Sequence, residues 1–152
     1  KAKSLWQERK TAGQEVTVGL GLNGRITDNE PNAAAGLDLT FGDLAEIWRL
    51  QLGLGAALAA NSDADLWGGA GPVLWLHLGD RWRLEGSVMA GLYADNVEDL
   101  GGPVQFHSRL GISYALTPAW RLGASVGHIS NAGLYDENPG LERVMLTLTH
   151  KL

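Results

Sequence analysis

The tripeptide His128-Ile129-Ser130 and the acid Glu142 supply the residue types of a hydrolytic triad. A serine hydroxyl is a weak nucleophile until an imidazole takes its proton. A carboxylate on the other ring nitrogen fixes the tautomer and stabilises the imidazolium as it forms. His128 and Ser130 are two residues apart, so in an extended strand both side chains leave the same face. A chain that turns back symmetrically about Tyr135 puts Glu142 directly across from His128, at the ~4.5–5.5 Å spacing of paired Cβ atoms. Attack on an ester carbonyl also needs donors for the developing oxyanion. The backbone N–H groups of Asn131-Ala132-Gly133 and the side chain or backbone of Asn138 are candidates. Taken singly, each residue is as well explained as an interfacial polar group; the shared face is what makes them a site.

The elements that position these residues are strands. Apolar residues alternate with polar ones or glycine in eight runs, predicted over 14–23, 33–42, 47–60, 66–78, 81–94, 104–116, 119–130 and 141–152. Most exceed the usual strand of about 5–6 residues and suit membrane strands of about 9–11. One face is apolar throughout, as in Val16, Val18, Leu20 and Leu22, or Val144, Leu146 and Leu148; the other mixes glycine with Glu15, Asp38, Arg83, Glu85, Arg109 and Arg121. Eight such strands make a closed barrel or a sandwich.

Alternation alone does not say which face points outward. Three features favour leucines in lipid. All four lysines (Lys1, Lys3, Lys10, Lys151) lie at the ends of the chain, so between them arginine is the only strong cation, and a narrow lumen filled by ion pairs accounts for it better than a solvated surface does. Connections alternate in length: long at 24–32, short at 43–46, medium at 61–65, very short at 79–80, long at 95–103, short at 117–118 and long at 131–140, the pattern of outer-membrane barrels. Phe41, Trp48, Trp82, Tyr114 and Trp120 fall near the short turns on the apolar face, the level of an interfacial belt. The expected fold is therefore an all-β, eight-stranded antiparallel transmembrane β-barrel of up-and-down topology. His128, Ser130 and Glu142 share the leucine face, where each is costly unless partnered. Eight residues of tilted strand separate Trp120 from His128, about 20 Å of height against an apolar band of ~25 Å, so the scissile bond is expected at the headgroup boundary.

Composition bounds the rest. The 152 residues, 16.2 kDa, suit a single domain over 1–152, with a short N-terminal segment at 1–13. The longest nearly apolar stretch, 52–60, is too short for a membrane helix. No cysteine is present, which excludes disulfides and thiolate metal sites, and the net charge of -5 argues against nucleic acid. The Lys1-Ala2-Lys3 opening, with neither a Met nor an apolar export segment, reads as a mature or trimmed form from which any targeting peptide is already gone. Residues 4–9 fit either a turn of helix or a tail. His77 and His107 fall on the lumen face and His150 near the turn-side rim; no cluster has metal-ligand spacing, so neither metal nor cofactor is expected. The loop acids Asp28, Glu30, Asp63, Asp65, Asp95, Glu98, Asp99, Asp136 and Glu137 are expected to solvate the long-loop end, with contact to divalent ions bridging lipid phosphates as the lesser reading.

The segment His128-Ile129-Ser130-Asn131-Ala132-Gly133-Leu134, followed by Asn138-Pro139-Gly140-Leu141-Glu142, resembles the signature of the PagL-type lipid A 3-O-deacylases. These are eight-stranded outer-membrane barrels that hydrolyse the ester of the acyl chain at position 3 of lipid A with a Ser/His/Glu triad. The resemblance implies Ser130 as nucleophile, His128 as base, Glu142 as its orienting acid, and Gly133 and Asn138 as the oxyanion site. Phe106, with Gln105 and Arg109, is similar to the strand that flanks the family's site, and Asn131 adjoins the triad. The motif covers 106–142; the first hundred residues agree in architecture only, and the chain end Lys151-Leu152 lacks the terminal aromatic frequent in outer-membrane barrels. The implied partner is lipid A, or lipopolysaccharide, in the outer leaflet of a Gram-negative outer membrane, reached sideways by a membrane-embedded enzyme, with a homodimer left open. The alternatives are a non-enzymatic structural or adhesive barrel and a soluble eight-stranded binder of an apolar ligand.

Overall fold

The computed structural model describes residues 13–24 and 30–152; residues 4–9 and the loop acid Asp28 lie outside them. Eight strands follow in chain order: β1 (Gln14–Gly24), β2 (Asn32–Ile47), β3 (Leu50–Asn61), β4 (Leu66–Leu78), β5 (Trp82–Ala94), β6 (Val104–Ala115), β7 (Trp120–Ser130) and β8 (Leu141–Lys151). Each pairs antiparallel with its sequence neighbour, and β1 closes on β8 to form a barrel. Closure leaves no strand edge to be satisfied, which is the condition for a sheet to sit in hydrocarbon. The class and topology are those expected from the alternation.

One connection differs from expectation. The turn anticipated at 43–46 is strand: β2 runs on to Ile47, its register slipping by a bulge between Phe41 and Ala45, and the chain reverses at Trp48 and Arg49 instead. Glycine and aspartate serve bulges and turns alike. Trp48 therefore leaves the strand and takes a left-handed φ of 56° at the turn, its ring 78% exposed.

The period of two sorts the side chains as the sequence suggests. Leu20, Leu58, Leu92, Leu110 and Leu146 are exposed on the outside, each by more than 60%. Apolar surface of that extent belongs in hydrocarbon rather than water. Polar groups turn inward. Arg83, 4% exposed, clasps Glu15 with Nη1 and Nη2 at 2.9 and 2.8 Å and reaches Glu85 Oε1 with Nε at 2.9 Å; Ser113 Oγ donates to that same oxygen at 2.8 Å. Arg109 pairs with Asp38, and Arg143 Nε donates to Asn23 Oδ1 at 2.7 Å. His77 and His107 are buried on this inner face, His77 bonded to Gln51 Oε1 at 2.6 Å. Trp67, Trp75, Met89 and Tyr93 fill the remaining bore, and Leu100, Ile129 and Leu141 cap it at the long-loop end. An inner cavity of about 20 Å³ remains beside Asp38, His107, Arg109 and Arg143.

At the short-turn rim the aromatics meet. Trp82 packs edge-on against Tyr114 with centroids 5.0 Å apart, and Trp120 lies 4.3 Å from the His150 ring.

Candidate active site

The β7–β8 hairpin sets the site. Its register pairs Trp120 with His150 at one end and His128 with Glu142 at the other, so the acid comes to the imidazole by backbone pairing alone. His128 Nδ1 and Glu142 Oε1 lie 2.5 Å apart, a short contact on the outward face with both side chains partly exposed. With Nδ1 engaged by the carboxylate, Nε2 is the ring nitrogen left to take a proton. Ser130 follows two residues on, half-buried and directly across from Phe106 on β6. The structure thus joins His128 to Glu142 and puts Ser130 on the same strand face; no hydrogen bond closes Ser130 Oγ onto the imidazole. Catalytic hydrogen bonds are commonly longer before substrate arrives.

Asn131 organises the segment after Ser130. It is fully buried, and its Oδ1 accepts Gly133 N–H at 2.9 Å while Nδ2 donates to Glu137 O at 2.6 Å and to Leu100 O at 3.0 Å. Its own N–H donates to Asn138 Oδ1 at 3.0 Å. Of the two expected oxyanion residues, Gly133 therefore has its N–H committed to Asn131, and Asn138 accepts through its oxygen, leaving its amide NH₂ as donor. Ala132 and Gly133 both have positive φ, 54° and 79°, which turns the chain sharply after the serine.

Several residues that the sequence left without a role contribute. Gly140 has a φ of 71°, and a Cβ there would come within 2.9 Å of His128 Cε1, so only glycine both makes the turn and leaves the imidazole its place. Tyr135 OH accepts from Val104 N–H at 3.1 Å, tying the site's loop to the start of β6. Ser108 lies directly across from His128 on β6, outward and exposed. A local motif points to Gly140 through its Pro-Gly pair, but no spacing rule points to Tyr135 or Ser108, whose parts follow from strand register. Asp65 departs from expectation outright: it is 2% exposed and fully bonded rather than solvating the rim.

Below His128 an open groove of about 490 Å³ crosses the barrel's outer wall, bounded by Pro72, Leu74, Val88, Ser108, Leu110 and Val126. Gly86 forms its floor, with open space where a side chain would stand. Among the described residues no group of three or more His, Asp or Glu is arranged to hold a metal ion.

A closed eight-stranded barrel with an apolar exterior is the architecture of an outer-membrane barrel, and here that exterior carries a histidine–carboxylate pair. The family model described as lipid A 3-O-deacylase (PagL) matches residues 69–151, more than half of the chain, and the chain belongs to that family. The lipid A deacylase PagL of Bordetella bronchiseptica is 34% identical over 76 residues, 48% of this chain and 43% of that protein, so the alignment spans less than half of the relative's length. Among solved structures, the outer membrane enzyme PagL superposes with a TM-score of 0.78 at 19% identity, covering 91% of this chain and 99% of that one. The Neisserial surface protein A superposes at 0.59 with 12% identity, covering 91% and 96%. At such identities the superpositions speak for the fold, which both share.

Proposed function

We propose that this chain is a lipid A 3-O-deacylase that hydrolyses the ester-linked acyl chain at position 3 of lipid A in the outer leaflet, with Ser130 as nucleophile, His128 as general base and Glu142 as the acid that orients it. The observation that carries the reading is the 2.5 Å bond between His128 Nδ1 and Glu142 Oε1 on the outward face, two residues from Ser130 and at the head of an apolar groove. Family membership supports the substrate class.

In this mechanism His128 Nε2 takes the Ser130 proton as Oγ attacks the ester carbonyl, and Glu142 stabilises the imidazolium. The oxyanion is met by Asn138 Nδ2 and by Gly133 N–H, which must share its bond to Asn131 Oδ1. Collapse breaks the bond to the sugar oxygen, which takes the proton from His128 and leaves as a hydroxyl, with Ser130 acylated. A water molecule, deprotonated by the same ring, then releases the fatty acid and restores Ser130. The acyl chain lies along the groove floored by Gly86, so substrate enters from the side without leaving the bilayer. All three residues belong to one hairpin of one chain, and the chemistry needs no second copy and no metal.

The test is Ser130→Ala, with products of purified lipid A read by mass spectrometry. Loss of 3-acyl release by about 10³-fold or more, with the barrel still folded by heat-modifiable migration, is expected. Unchanged release in Ser130→Ala sinks the triad, whereas absence of release by the unsubstituted protein leaves the non-enzymatic barrel as the reading.

A further inference from the structure

Asp65 ends the β3–β4 connection and is buried beneath the β5–β6 loop. Its Oδ1 accepts the backbone N–H groups of Asn96 at 2.6 Å and Val97 at 2.9 Å, with Glu98 N–H at 3.4 Å. Its Oδ2 accepts Asn61 Nδ2 at 2.9 Å, and Asn61 Oδ1 in turn accepts the N–H groups of Asp63 and Asp65, both at 3.0 Å. A buried carboxylate is costly unless so paired, and charged acceptors make the stronger hydrogen bonds. The neighbouring loop acids Asp95, Asp99 and Asp136 are exposed, as acids that merely solvate a rim should be.

What Asp65 holds at one end supports the site at the other. Leu100, three residues beyond the clamped Val97, is buried with Ile129 and Leu141 on either side of the hairpin. Its carbonyl accepts Asn131 Nδ2 at 3.0 Å and Gln105 Nε2 at 3.1 Å. Gly101 and Gly102 press so close to the site's loop that a Cβ on either would meet Glu137 O at 2.1 Å or the Tyr135 ring at 2.4 Å. Ile129 and Asn131 flank Ser130, so both neighbours of the serine rest on the loop that Asp65 fixes.

We propose that Asp65 is a positioning residue for the hydrolytic site: by holding the first turn of the β5–β6 loop it sets Leu100 against Asn131 and thereby fixes Ser130 and the oxyanion donors after it. The proposal rests on the reading of Ser130 as nucleophile. Asp65 does not touch the substrate in this scheme, so it acts on the chemical step and not on binding.

The experiment compares Asp65→Ala, Asp65→Asn and Ser130→Ala in the full chain, folded in detergent, by steady-state kinetics on purified lipid A. Displacement of reacting groups by about an ångström lowers rates by about 10²-fold, so Asp65→Ala is expected to lose about 10- to 100-fold in kcat with KM within about twofold. Asp65→Asn keeps one acceptor oxygen in nearly the same place and is expected to fall between Asp65→Ala and the unsubstituted protein. Should Asp65→Ala not reach the folded, heat-modifiable form, a smaller kcat loss at constant KM in Asp65→Asn sustains the proposal. An unchanged kcat in whichever of the two variants folds overturns it, as does a raised KM with kcat unaltered, which makes the loop a substrate contact. Ser130→Ala separates the failures: inactivity there with full activity in the Asp65 variants ends this proposal alone, whereas activity in Ser130→Ala ends the triad reading beneath it.

Discussion

Glu142 is the residue whose proposed role has the most direct geometric support. Its carboxylate meets Nδ1 and not Nε2, where in the proposed triad it would hold the tautomer and balance the imidazolium. Glu142→Gln keeps the length and an acceptor oxygen while removing the charge. A kcat decrease of about 10²- to 10⁴-fold at similar KM is expected, measured on lipid A; full activity would show that the pair is only an interfacial contact. The sequence carried this pair well, because alternation and a symmetric hairpin are enough to bring position 128 across from position 142. It carried Asn131 less well. A buried asparagine that bonds three segments leaves no periodic trace, and only its place beside Ser130 marked it.

At the scale of elements, the strands were legible and the loops were not. β4 has the bounds expected for it, since Leu74, Leu76 and Leu78 alternate with Val73, Trp75 and His77 up to the Gly79-Asp80 turn that ends it. β2 was read five residues short at its C-terminal end because its bulge borrows turn chemistry. The stitching of the β3–β4, β5–β6 and β7–β8 connections depends on contacts between residues some thirty positions apart, such as Asp65 with Asn96 and Leu100 with Asn131, and no local pattern encodes those. Asp65 also yields a titration. Burial disfavours its charge, but the N–H groups of Val97, Asn96 and Glu98 and the Asn61 side chain outweigh that and hold its carboxyl below the usual carboxylate range. With the folded value depressed, its contribution to loop stability is fully present above the ordinary carboxyl value and is lost only as pH falls through the lower one. The amide resonances of Asn96 and Val97, with Tyr93, Asp95 and Glu98 nearby, should shift together at that lower midpoint in micelle NMR. A midpoint at or above an ordinary aspartate's would contradict the clamp.

At the scale of the whole molecule, the two faces of the sheet exchange their usual roles. Leu146 stands midway between the Trp120 and His128 levels, paired with Ala124 on β7 and Leu20 on β1, and is 69% exposed on the outward side. On a soluble protein, an arginine at so open a position would be nearly neutral. Here Leu146→Arg is expected to cost about 2–4 kcal/mol, as for cations at the bilayer midplane, measured by denaturant unfolding in lipid vesicles. A neutral result would place that wall in water and remove the sideways route to Ser130.

The packed bore has a consequence for the cell that carries this barrel. Arg83 with its two glutamates, Arg109 with Asp38, and the rings of Trp67 and Trp75 fill the bore, as side chains do in barrels of eight strands. A barrel plugged by its own side chains can be present in many copies without making the envelope leaky.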